Sequence, residues 1–291
     1  MQTHVGSQLL PARVSPVIVK LTPPSLASLP RRYGSGQLRP GDSVLLYDTA
    51  GRLLQTTKLR QKYSDTLLEL EGNVTGLNIS VLEFPDIGCG GWEIRNSYFH
   101  DAYQRVFVQS GPGRFVNNTL MRVGASVSVR STQASGNEGG VPREIFISGN
   151  RFTNVSMTPK SLQPFSVASS AIEVGKQQEL VSASYNNITI RSNHISNTAD
   201  SAIAMFTSGN VIIIGNTFFS PVVSDVLAGH PSPNQRQAVF VQTSVGIVVD
   251  GNHLSDPSNA CVLDNSTHSL VLGLGSGTSD VTLDGARMPP T

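Results

Sequence analysis

The chain is poor in charge, in aromatic residues and in the residues that build helices. Only 14% of its 291 residues are charged, with 21 basic against 20 acidic. It carries no basic run, so the electrostatic footprint of a nucleic-acid binder is missing. No apolar stretch approaches the length of a membrane-spanning helix, and no membrane partner is expected. Lys and Glu are scarce while Gly, Pro, Asn, Ser and Thr are plentiful, a balance that disfavours a helical protein. Cysteine is rare: Cys89 and Cys261 lie far apart and are expected as separate buried thiols. Gln-Thr-His-Val after Met1 does not read as the start of a secretory leader.

What is abundant is Asn in particular settings. Six Asn-x-Ser/Thr sequons occur, at Asn73, Asn78, Asn117, Asn154, Asn187 and Asn265. Chance would give roughly three, and the excess points to a secreted protein.

A second Asn pattern decides the fold. Phe115-Val-Asn-Asn118-Thr-Leu120 places an apolar residue three before an Asn and another two after it. The frame returns around Asn150, Asn193, Asn216 and Asn252, and Ile94-Arg-Asn-Ser97-Tyr-Phe99 keeps it with Ser at the Asn position. Intervals of about 21 to 43 residues are those of a solenoid whose loops vary in length. Each copy is followed by an alternating strand: Val106–Val108, Val127–Val129, Ile172–Val174, Ile203–Met205, Val239–Val241 and Cys261–Leu263. Period two sends alternate side chains inward, and stacked rungs then share one core. An Asn fixed at a bend can hydrogen-bond from rung to rung as a ladder. The expected fold is all-β, a right-handed parallel β-helix of the pectate-lyase-like solenoid type, over residues 88–265.

Residues 1–87 lack the frame and are expected to form a small β-barrel-like subdomain, with Val17-Ile-Val19 lying against the first rung as a cover. Residues 266–291 are expected to hold a last partial rung and a mobile tail.

The order of these parts, with Gly41-Asp42 opening a short β segment, Glu93-Ile-Arg-Asn96 opening the coil and Ser110-Gly-Pro-Gly113 between rungs, resembles the α-1,3-galactosidases among β-helix glycoside hydrolases. The resemblance covers roughly residues 36–255. It implies a small β-barrel before the rungs and an activity that removes terminal α-galactose. Glu138 matches a Glu of that family, whereas Thr132 falls at an Asp position and the family's Trp is absent. The chain thus resembles a truncated or diverged member. The alternative is a non-catalytic carbohydrate-binding or structural β-helix.

Strand alternation predicts an outward column of Phe107, Ser128, Glu173, Ala204, Phe240 and Val262, and beside it Gln109, Arg130, Gly175, Phe206, Gln242 and Asp264. Aromatic faces and polar tips facing solvent would make a sugar groove. Glycoside hydrolysis needs two carboxyl groups roughly 5 to 9.5 Å apart, which one or two rungs of about 4.8 Å supply. The catalytic candidates are Glu173, Glu138, Asp101 and Asp200. Arg130, Arg105, Gln109, Phe107 and Phe240 are the substrate-binding candidates. The plainer alternatives are a solvated Arg130–Glu173 ion pair and turn-capping roles for Asp101 and Asp200.

His194 and His253 share a slot but a rung separates them, too far for joint metal ligation. No calcium loop or phosphate loop is recognisable, so no metal or cofactor is expected. Trp92 is expected to pack rather than to bind sugar. The partner implied is a glycan.

Overall fold

The computed structural model describes residues 2–4, 17–20, 38–48, 53–64, 67–79, 81–87, 90–102, 106–108, 111–124, 127–130, 142–156, 170–175, 185–198, 201–220, 237–255, 272–274, 278–284 and 286–288. The chain divides into two compact units, Met1–Gly90 with Ser131–Val141, and Gly91–Arg130 with Pro142–Thr291.

In the smaller unit six strands pair antiparallel in the order Gln2–His4, Val81–Glu83, Ser43–Tyr47, Leu53–Ser64, Leu67–Leu70 and Val17–Lys20. Val44, Leu46, Leu59, Leu68, Leu70, Leu82 and Phe84 fill its core. The 12-residue strand Leu53–Ser64 carries register shifts at Leu59/Gln61 and Lys62/Ser64, which let it pair along both halves of the sheet. Val17–Lys20, expected against the first rung, pairs with Leu67–Leu70 within this unit. An apolar strand requires an edge to pair with, and its own sequence does not say which edge.

The larger unit is a parallel β-helix of three sheets. The first comprises Trp92–Arg95, Gly113–Val116, Arg143–Ser148, Tyr185–Arg191, Ser208–Ile214, Val245–Asp250 and Ser279–Leu283, with Ala286–Met288 turned back antiparallel at its end. The second comprises Tyr98–His100, Thr119–Met121, Arg151–Val155, His194–Thr198, Thr217–Phe219 and His253–Ser255. The third comprises Val106–Val108, Val127–Val129, Ile172–Val174, Ile203–Phe206, Val239–Gln242 and Leu272–Leu274.

Two features differ from expectation. The last strand of the third sheet is Leu272–Leu274, not Cys261–Leu263, so Gly273 rather than Val262 stands opposite Phe240. Cys261–Leu263 and Cys89 lie outside the described residues. Ala286–Met288, expected in a mobile tail, forms the strand that ends the first sheet.

Apolar side chains stack in register down the coil. Phe115, Ile147, Ile190, Ile213 and Val249 make one wholly buried column, and Leu120, Phe152, Ile195 and Phe218 make a second. The bend between the first and second sheets is a two-residue corner. Its leading residue (Asn96, Asn117, Gly149, Ser192, Gly215 or Gly251) takes a positive φ of 51 to 66°. Gly and Asn recur there because they tolerate the left-handed conformation.

The following residue is the ladder Asn. Asn150 Oδ1 accepts from the backbone N–H (2.8 Å) and from Nδ2 (3.1 Å) of Asn118. Asn193 does the same for Asn150, Asn216 for Asn193 and Asn252 for Asn216. Each Nδ2 also donates back to a carbonyl of the previous rung, as Asn193 does to Ile147 (3.1 Å). At the near end Ser97 donates its N–H to Asn118 Oδ1, and at the far end Asp284 accepts from the Gly251 N–H. The Trp92 indole lies over Gly113 of the next rung, where a Cβ would come within 1.9 Å of the ring.

Candidate functional site

Glu173 sits in the middle of a third-sheet strand, in register with Ser128 on one side and Ala204 on the other. Arg130 ends the preceding rung, and its Nη1 lies 3.7 Å from Glu173 Oε1. The expected pairing is therefore present, but its setting is not the expected one. Glu173 is only 3% exposed, and Ser128, Arg130, Ala204, Phe206 and Phe240 are buried with it. The solvent-facing groove and the solvated ion pair are both corrected at these residues, which are buried; Gln242 is partly exposed, and Gln109, Val262, Asp264 and the Phe107 side chain lie outside the described residues. The chemistry of the buried residues explains their burial. Ala204, Phe206 and Phe240 form an apolar cluster, with the two rings 5.9 Å apart, and an apolar outer face is stable when it is removed from water. Gly175 closes the column, since with φ +76° a Cβ there would lie 2.0 Å from the Phe206 carbonyl oxygen.

A buried charge of this kind is held by its partner. What the pair can do is tie the rung to its neighbour across a buried contact. It is not by itself the two-carboxyl arrangement that glycoside hydrolysis requires.

Asp101 stands elsewhere, at the corner after the second sheet, with φ 48°. Arg122 occupies the same corner one rung on. Its Nε and Nη2 donate to the two oxygens of Asp101 at 2.5 and 2.8 Å, and His100 Nδ1 lies 2.9 Å from Oδ2. Those hydrogen bonds, Arg122's first and then His100's, hold the Asp101 carboxyl well below the usual carboxylate range. A carboxylate so held is a poor proton donor; its partners are the Arg122 and His100 side chains rather than the backbone of its own turn. Glu138, Asp200, Arg105 and Gln109 lie outside the described residues, as does the side chain of Phe107, whose backbone pairs with Ser128.

The sign of the Asp101 effect gives a prediction. Its folded pKa is depressed, so its contribution to stability is present above the unfolded value of about 4 and is lost as pH falls through the folded one. Asp101→Asn should therefore flatten the acid-side loss of stability, as measured by denaturation midpoints from pH 6 downward. Midpoints that track wild type throughout would show that the Arg122 pair has no net role.

The exposed chemistry lies on the other two sheets. On the second sheet Tyr98, 55% exposed, stacks on His100 at 4.7 Å and sets its hydroxyl 3.8 Å from Met121 Sδ. Thr119, Arg151, His194, Thr217 and His253 continue the Tyr98 column in register. On the first sheet Phe146 lies under the guanidinium groups of Arg114 and Arg191, at 5.1 and 4.7 Å from its centroid. His194 and His253 were placed in one slot, but the Tyr98–His100 stack and the Phe146 group were not anticipated. The signal was available, because the residues four and two before each ladder position, and those one and three after it, point outward by the same alternation. Among the described residues no three His, Cys, Asp or Glu side chains gather as a metal site.

Residues 87–273 match the right handed beta helix region family, more than half of the chain, and the chain belongs to that family. No curated protein matches it. Among solved structures, DFA-IIIase from Arthrobacter chlorophenolicus A6 is similar at 13% identity and TM-score 0.42, over 67% of this chain and 45% of that one. The Azotobacter vinelandii mannuronan C-5 epimerase AlgE6 A-module is similar at 14% identity and TM-score 0.42, over 69% and 59%. The Pseudomonas phage phi297 tailspike gp61 aligns with 98% of this chain at 13% identity and TM-score 0.23. The chain spans about half the length of the solved structures it resembles.

Proposed function

We propose that this chain is a glycan-recognising β-helix that binds sugar along the outward face of its second sheet. The observation that carries the reading is the exposed Tyr98–His100 stack, whose column continues through Thr119, Arg151 and His194. A flat aromatic face beside hydrogen-bonding tips suits a sugar ring, which is apolar on its faces and polar at its edges. Exposed sequon residues Asn73, Asn78, Asn117 and Asn187 support a secreted protein.

The finer reading, hydrolysis of α-1,3-linked terminal galactose, rests on the resemblance and on Glu173. It requires the sugar to reach a carboxylate that is 3% exposed and a second carboxyl beside it. Burial of Glu173 favours binding over turnover. Titration calorimetry against a panel of neutral oligosaccharides, with galactose release from an α-1,3-galactoside measured in parallel, separates the two. The expected result is saturable binding that Tyr98→Ala weakens about tenfold, without galactose release. Release that Glu173→Gln abolishes would establish the hydrolase instead, and no binding to any glycan would reject both readings.

A further inference from the structure

Phe146 stands at an outward position on the third rung of the first sheet. Arg114 is directly opposite it on the strand below, and Thr189 is opposite it on the strand above, two residues before Arg191. Both guanidinium groups lie over the one ring, so two positive charges are held no more than about 10 Å apart. Like charges that close repel, and an anion placed between or across them relieves the repulsion.

A guanidinium over a ring uses its flat face there, while its five N–H donors lie in its plane. Neither Arg114 nor Arg191 forms an ion pair among the described residues, although carboxylates occur on the same sheet. Glu93 stands opposite Arg114 in register but lies 3.8 Å from Arg95, Asp250 is two strands beyond Arg191 in register, and Glu144 has a left-handed φ of 55°. Both arginines are exposed and the ring between them is half-buried.

We propose that Arg114, Phe146 and Arg191 form a second subsite that selects anionic glycans, with the two guanidinium groups taking the carboxylate or sulfate groups of successive acidic sugars. Planar donor pairs match both anions bidentately. This inference rests on the glycan-binding reading but uses a different sheet from the Tyr98 column, so the two can fail separately.

The test is titration of the full chain with a galacturonate hexamer, a chondroitin sulfate hexasaccharide, a neutral galactan hexamer and a 12-nucleotide single-stranded DNA. Arg114→Gln, Arg191→Gln and Phe146→Leu are compared with wild type, with circular dichroism confirming that each folds. Support would be binding of at least one acidic glycan more tightly than galactan, weakening with added salt, and falling about tenfold in each arginine variant with galactan binding unchanged. Preference for only one acidic probe identifies its anion and also supports the subsite. Galactan binding without acidic preference, or acidic binding unaffected by the variants, overturns this inference alone. DNA bound as tightly as the acidic glycans overturns glycan selectivity. No binding by any glycan overturns it together with the reading on which it rests.

Discussion

Asn193→Leu should cost the coil about 4 kcal/mol and leave little folded protein at physiological temperature, because it orphans several buried groups at roughly 1–3 kcal/mol each. The Asn150 backbone N–H and Nδ2 both lose Asn193 Oδ1, and the Ile147 carbonyl loses its donor. Asn193 is 1% exposed, so water cannot replace them. Leucine matches asparagine in its number of side-chain heavy atoms but is bulkier, so some overpacking adds to the lost hydrogen bonds. His194→Leu, one residue on and exposed, is the matched control and should shift stability by less than about 0.5 kcal/mol. Chemical denaturation followed by far-UV circular dichroism reads both. Equal midpoints for the two variants would remove the ladder from the account of stability.

The second large effect concerns the buried ion pair. Arg130→Met removes the guanidinium 3.7 Å from the buried Glu173 carboxyl, and breaking a buried pair from one side costs about 3–5 kcal/mol. Adding Glu173→Leu should recover most of that loss, since an apolar pair suits the Ala204–Phe206–Phe240 cluster above it. The double variant then measures what the pair does besides stabilise. If it folds as well as wild type and still binds glycan, Arg130 and Glu173 are parts of the wall. If stability is regained and binding or turnover is lost, the pair belongs to a site.

The ladder could be read from sequence because each corner gives one residue one task. The leading position needs a positive φ, and the next needs an amide that donates in one direction and accepts in the other. Few residues satisfy either, so Gly-Asn, Asn-Asn and Ser-Asn recur in one frame. The inward columns were equally plain, since alternation on a parallel strand leaves little choice.

Alternation has a limit, which the third sheet exposes. It distinguishes inward from outward but not outward-exposed from outward-covered. Glu173 and Phe240 looked like groove residues on that ground, although Ala204 and Phe206 between them already made the face apolar. Short strands carry a second limit. Cys261-Val-Leu263 and Leu272-Gly-Leu274 both fit an apolar-x-apolar frame, and three residues cannot decide between them. Interactions between rungs were the least accessible. Arg122 meets Asp101 and Arg191 meets Phe146 only because intervals of 21 and 45 residues close on neighbouring strands.

The most direct test of the central claim, that sugar binds the exposed sheets of this coil, is a crystal structure of the chain soaked with a saturating oligosaccharide identified by titration. The account predicts a sugar ring against Tyr98 on the second sheet, with Arg151 or His194 within hydrogen-bonding reach, and an acidic group at Arg114 or Arg191 where the ligand carries one. A sugar seated beside Glu173 and Arg130, with the apolar wall of the third sheet opened around it, would contradict the account.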